Sequence, residues 1–250
     1  TGRRQAASVR QREVVVERFG GPQGRWSGGD VAILASGPSL TRADAALVRG
    51  WREEPREPGQ PARRVIVVNT TYQIAPWADL LYACDQPWWV IHYPRIAREF
   101  LGELWTVSEG AREQFGIRWV MGRDQSGLST DPSMIHTGKN SGYQAIGLAH
   151  LFGCRRIVLL GFDMAVGPDG RKHWHGDHPA GLGNGGYNRY NAWIRCMATL
   201  AQDLKRAGVE VVNASRRTAL KCFRRDTLEN ALDELRRTGG DRDHDGAAAR

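Results

Sequence analysis

An α/β sandwich of three layers around a mostly parallel sheet is the fold this sequence predicts, and three observations predict it. Short apolar runs of strand type alternate with longer amphipathic segments through most of the chain. The short runs are apolar nearly throughout, as strands covered on both faces are. Polar clusters recur just after those runs, where ligand-facing loops lie in open parallel sheets.

In chain order, residues 1–30 are rich in Arg, Gly and Gln, with one apolar burst from Val14 to Val16. They read as a basic tail with a possible edge strand. A strand is expected at 31–36 and a helix at 41–49. Further strands are expected at 64–69, 80–84 and 117–121. A helix at 141–152 leads into a strand at 156–161, then a helix at 188–207 and a strand at 209–213. The last helix, 226–237, carries Leu228, Leu232 and Leu235 at spacings of four and three, which makes one apolar stripe. Residues 31–237 thus form a single domain. The polar, small-residue stretch 238–250 reads as a disordered tail.

Composition narrows the classes. No apolar run is long enough to span a membrane, and the first residues lack the apolar region of a secretory signal. Cys84, Cys154, Cys196 and Cys222 are too dispersed for a zinc knuckle, and three of them, in apolar or helical surroundings, read as core thiols, which fits a reduced, cytoplasmic setting. A formal charge of +8 points to an anionic partner, either nucleic acid or a phosphorylated small molecule. Dispersed Arg on a solvated face is the alternative.

Three constellations carry the chemistry. "ASGPSL", 35–40, sets Ser36, Gly37, Pro38 and Ser39 at the end of a buried strand. Gly37 permits a close backbone approach and Ser39 can cap the following helix; the turn is either a plain turn or the floor of an anion site. It has neither the Walker pattern nor the three glycines of the dinucleotide fingerprint. "TGKNSGYQAIG", 137–147, puts Lys139 before a helix that Asn140 or Ser141 could cap, with Gly142 allowing close approach. Lys139 either meets a phosphate there or stands in solvent. In "GFDMAVGPDGRKHWHGDHPAG", 161–181, Asp163 ends a buried strand, where a carboxylate needs a partner. His173, His175 and His178 then bring three of the seven histidines into six positions. They read as a general base in preference to a zinc or manganese site, since the spacing matches no specific ligand set, or as a merely polar loop. Asn69 and Asp85 also close strands. Trp88 and Trp89 could stack on a base or pack; Tyr187 and Tyr190 could reach the same cleft. Ser215 to Thr218 and Lys221 offer further contacts.

The segments "ASGPSL" at 35–40, "VVNTTY" at 67–72 and "TGKNSGYQAIGLAHLFGCRRIVLLGFDM" at 137–164 resemble the Rossmann-like glycosyltransferase group. That group holds metal-independent bacterial sialyltransferases. It also holds phage or prophage proteins related to the hydroxymethylpterin pyrophosphokinase-like domain. "VEVVNASRRTAL", 209–220, is consistent with its last strand and loop. The resemblance implies a Rossmann-like catalytic domain. Ser36, Gly37, Ser39 and Asn69 would hold the donor nucleotide, and Ser141 and Gly142 would lie beside its phosphate and sugar. A histidine beyond Asp163 would be the base. The turn reads Ala-Ser-Gly-Pro where the sialyltransferases carry Gly-Asn-Gly-Pro, which argues against CMP-sialic acid as donor.

The expected function is therefore transfer of a glycosyl or similar group from a nucleotide-activated donor to a hydroxyl acceptor, with DNA as a possible acceptor. No permanently bound cofactor or metal is expected. One alternative is pyrophosphokinase-like diphosphate transfer from ATP, with Mg²⁺ held among Asp85, Asp163 and Asp177. The other is a non-catalytic nucleotide or nucleic-acid binder.

Overall fold

The computed structural model describes residues 22–184 and 186–237. The expected edge strand at Val14–Val16 and the tail from 238 lie outside the described residues.

The chain runs β1 (Asp30–Leu34), α1 (Arg42–Glu53), β2 (Arg63–Val68), β3 (Leu80–Tyr82), α2 (Gln86–Glu99), β4 (Glu103–Thr106), α3 (Glu109–Phe115) and β5 (Arg118–Trp119). It continues through β6 (Met121–Arg123), β7 (Met134–His136), α4 (Ser141–Leu151), β8 (Arg156–Leu160), α5 (Tyr187–Arg206), β9 (Glu210–Asn213), β10 (Arg224–Arg225) and α6 (Leu228–Arg237). Eight strands form one sheet in the order β10-β9-β8-β1-β2-β3-β4-β5. Every pairing in it is parallel. The expected strand at 117–121 divides, because β6 leaves the sheet and pairs with β7 instead.

Alternation along each strand builds the layers. Val31, Ile33, Ile66, Val68, Leu80 and Tyr82 face one core, which also takes residues of α4 and α5. Ala32, Leu34, Val65, Val67 and Leu81 face the other, with α1, α2, α3 and α6. The result is the three-layer Rossmann-like sandwich. Helix α4 is buried at every position from Ser141 to Ala149, so it is covered on all sides.

Residues 22–29, expected within the tail, pack against the body. Trp26 is buried and meets Phe152 edge-on at 4.7 Å. Gly24, Trp26 and Gly28 donate backbone N–H groups to the carbonyls of Leu151, Phe152 and Gly153. Those carbonyls at the end of α4 would otherwise lack partners.

Strand order reverses between β1 and β8, so the loops after these two strands diverge to opposite faces and leave a crevice. At the opposite end of the same pair, Arg156 donates to both carboxylate oxygens of Asp30 at 2.6 and 2.5 Å, with both residues buried. Asp30 and Arg156 are also register partners. No helix among the described residues is long and apolar enough to cross a membrane.

Candidate functional site

The crevice holds a cavity of about 470 Å³, a size typical of small-molecule sites. Its floor is the turn after β1. Gly37 is needed for space: a Cβ there would lie 2.2 Å from Asp163 Oδ1 and 2.4 Å from the Gly161 carbonyl oxygen. The close approach that glycine permits is thus to the loop after β8. Asp163 accepts from the Ser39 backbone N–H at 2.8 Å and from its hydroxyl at 2.9 Å. This supplies the partner its buried position requires. Burial nonetheless pushes its carboxyl up to about 6, against the lowering effect of the Ser39 bonds. Ser39 does not cap α1; Thr41 does, in a reciprocal capping box with Asp44. Ser36 is tied to the end of β2, with its hydroxyl 3.3 Å from the Val68 carbonyl and 3.2 Å from Thr71 Oγ1.

A second wall comes from the start of α4. Asn140 caps it, accepting from Tyr143 N–H at 3.0 Å. Lys139, Ser141 and Gly142 line the cavity beside it. A Cβ on Gly142 would lie 2.8 Å from the ring of Phe162, so glycine seats the helix against the β8 loop. Asn69, Lys139 and Met164 are the non-glycine residues with left-handed φ among those described, at 52°, 60° and 49°. All three line the cavity. Backbone held in this sparsely populated region marks sites that the surroundings over-determine.

The third wall is the loop 165–184. Trp174 pins it to the floor through its N–H to the Ser36 carbonyl at 3.1 Å and its Nε1 to Thr71 Oγ1 at 3.2 Å. His173 and His175 lie parallel with ring centroids 5.2 Å apart, and His178 is tilted against both at 4.6 and 4.9 Å. Nε2 of His173, Nε2 of His175 and Nδ1 of His178 are buried without a hydrogen-bond partner. Burial, aided by proximity to His178, pushes His173 down to about 4 and His175 to about 3. Burial lowers His178 also. Neutral imidazole is therefore the form all three take near neutral pH. His173 and His178 line the cavity; His175 stands behind them.

Of the sequence-derived site residues, Ser36, Gly37, Pro38, Asn69, Asp85, Lys139, Ser141, Gly142, Asp163, His173 and His178 share this one cavity. Ser39 and His175 lie outside its lining. Trp88 and Trp89 are core residues, 3 % and 0 % exposed. Their indole nitrogens donate to Thr70 Oγ1 and the Ala83 carbonyl; Trp88 lines the cavity with its ring stacked on His92 at 4.5 Å, and Trp89 lies outside the lining. Ser215 and Thr218 bond the backbone of Phe162 and so brace the β8 loop. Arg216 pairs with Asp44. Lys172, Arg189 and Trp193 line the cavity without having been singled out in the sequence. Tyr190 joins them with a buried, unpartnered hydroxyl. The last three sit on α5, and of them Tyr190 was the one expected to reach this cleft.

No family model and no curated protein matches the chain. Among solved structures it is similar to sialyltransferase CstII from Campylobacter jejuni in complex with cytidine-5'-monophosphate. Identity is 13%, with 82% of this chain and 87% of that one covered, at a TM-score of 0.46. The same enzyme with CMP-3FNeuAc aligns at 12% identity, 79% and 84% coverage and a TM-score of 0.40. The C-domain of bacterial malonyl-CoA reductase with NADP aligns at 16% identity over 88% of this chain and 33% of that one, at a TM-score of 0.29.

Proposed function

We propose that this cavity binds a nucleotide-activated donor and transfers its glycosyl or similar group to a hydroxyl acceptor. One observation carries the reading: Lys139 and the N-terminus of α4 line the same cavity as His173 and His178. The N-terminus of α4, with its free N–H groups and the Lys139 ammonium, is suited to a diphosphate or monophosphate. It would stabilise the charge that develops on the leaving phosphate. His173 and His178 stand where an acceptor hydroxyl would be prepared for attack. Trp193 and the hydroxyl of Tyr190 offer a surface for the transferred group. The net charge of +8 favours an anionic donor and is compatible with DNA as acceptor.

The test is a thermal-shift screen against nucleoside mono- and diphosphates and sugar nucleotides, each with Mg²⁺ and with EDTA. A ligand that binds the folded state raises the apparent Tm. The expected result is a rise with one class of sugar nucleotide that does not depend on Mg²⁺ and shrinks in Lys139→Ala. A rise with ATP that requires Mg²⁺ would instead support diphosphate transfer, for which Asp85 and Asp163 on the cavity wall are the carboxylates at hand. No rise with any nucleotide would overturn both.

A further inference from the structure

We propose that His173, His175 and His178 form a binding site for one divalent transition-metal ion of the zinc class, with an open coordination position facing the cavity. Among the described residues, this is the group of three or more His, Cys, Asp or Glu side chains placed to share an ion. Each offers one ring nitrogen, and the three nitrogens lie within 4.8 Å of one another. Zinc bound at about 2.0–2.1 Å in a tetrahedron sets its ligand nitrogens roughly 3.4 Å apart, so closure asks each ring to move by less than about 1 Å. Side-chain rotation on a loop supplies that.

The second argument is the cost of the arrangement without an ion. Nε2 of His173, Nε2 of His175 and Nδ1 of His178 are all buried with no hydrogen-bond partner. A buried polar atom without a partner is costly, and such atoms are few in a native protein. Here three of them belong to histidines that each bring a ring nitrogen within 4.8 Å of the other two. Three protonated rings in that space would repel one another, whereas three neutral rings, His173 and His175 now parallel, can each turn a ring nitrogen toward a shared cation. A cation there satisfies all three at once. Asp177 and Asp85, whose charges act on His178, would offset part of the ion's charge. His92 stands nearby with an unpartnered Nε2 of its own, and its Nδ1 is 3.3 Å from the Tyr72 hydroxyl.

Ligand chemistry selects the ion. Three imidazoles suit zinc, copper, nickel or iron, whereas magnesium and calcium take oxygen. Three protein ligands leave a fourth position, the arrangement of a site that accepts water or substrate. His173 and His178 are on the cavity wall, so that position opens into the space described above. The ion's binding stands on the histidines alone. Its chemical role rests on the transfer reading: the histidines would act on a hydroxyl through the ion and not as free bases. Sequence spacing pointed away from a metal because the three residues match no common ligand pattern. They converge because the loop folds back on itself around Trp174.

The experiment uses the whole chain, stripped with EDTA, dialysed, and titrated with Zn²⁺ and with Co²⁺. The expected result is one equivalent of Zn²⁺ per chain by elemental analysis and calorimetry. The cobalt-loaded protein should show the visible d–d absorption of a tetrahedral or five-coordinate centre. Mg²⁺ in excess should not compete. His175→Ala, which leaves the cavity wall in place, should weaken Zn²⁺ binding well beyond the roughly 10–100-fold that an outer-shell change gives. His136→Ala and His150→Ala, outside the cluster, should leave it unchanged. Substoichiometric zinc in the wild type, or equal affinity in wild type and His175→Ala, overturns the site. The wild-type stoichiometry needs no variant to fold. Zinc bound with no nucleotide response would refute the transfer reading and leave the metal site standing; the reverse outcome would refute the site alone.

Discussion

Replacing Asp163 by Asn isolates the cost of the buried carboxylate beneath the cavity. In the folded chain this carboxyl is pushed from 3.8 up to about 6, mainly by burial. The native state therefore holds a proton between about pH 4 and pH 6 that the unfolded chain has released. Stability from this group is complete below the unfolded value and is lost as pH rises through about 6. A difference of about two pKa units corresponds to about 3 kcal/mol near neutral pH. Asn imitates the protonated acid. Its Oδ1 can accept from the Ser39 N–H while its Nδ2 donates to the Ser39 hydroxyl, which rotates to receive it. Urea unfolding of both proteins across the pH range should show near-equal stability at about pH 4. The variant should gain up to about 3 kcal/mol by about pH 7. A gap that does not change with pH, or a variant weaker at neutral pH, would refute the reasoning. It would mean that Ser39, with the more distant Arg217 and Arg225, compensates the charge fully.

Gly37→Ala should cost about 2–3 kcal/mol, because its Cβ would meet a backbone carbonyl and a pinned carboxylate; a loss under 1 kcal/mol by chemical denaturation would contradict the packing described. Arg156→Met removes the guanidinium that binds both oxygens of the buried Asp30 carboxylate and should cost about 3–5 kcal/mol, while adding Asp30→Leu should restore most of it. Equal losses in the single and double variants would show that the pair's charge is not what the single change exposes.

The expected strands on β1, β2, β3, β8 and β9 and four of the helices are where local pattern placed them, because continuous apolar runs report two-sided burial directly. The failures are physical. Helix α2 was hidden by Pro87 and Pro94, although Pro87 sits in its first turn, where proline is tolerated. β4, β7 and β10 are two to four residues long and carry charged or polar positions. No periodicity can emerge from so few. At the site, the rule that ligands gather at strand ends brought out most of the cavity floor. Partners distant in sequence were invisible to it. The Ser39–Asp163 contact spans 124 residues, and α5 contributes Arg189 and Trp193 beside Tyr190, the one residue of that helix wall the sequence had pointed to the cleft.

The pairing of β1 with β8 also bears on the order in which this molecule can be made. Asp30 and Arg156 are 126 residues apart, so the central strand pair closes one of the longest loops in the chain, and contacts of that separation form slowly. During synthesis, β2 and β3 can line up beside β1 while its other edge still waits for a partner. That edge is apolar and open, the kind that recruits strands from neighbouring chains. Its outermost residue is Asp30, whose charge discourages such pairing until Arg156 arrives to neutralise it. The ion pair at the far end of the strands from the crevice thus doubles as a guard on the unfinished sheet, and chains lacking it should aggregate on refolding before they fail to bind anything.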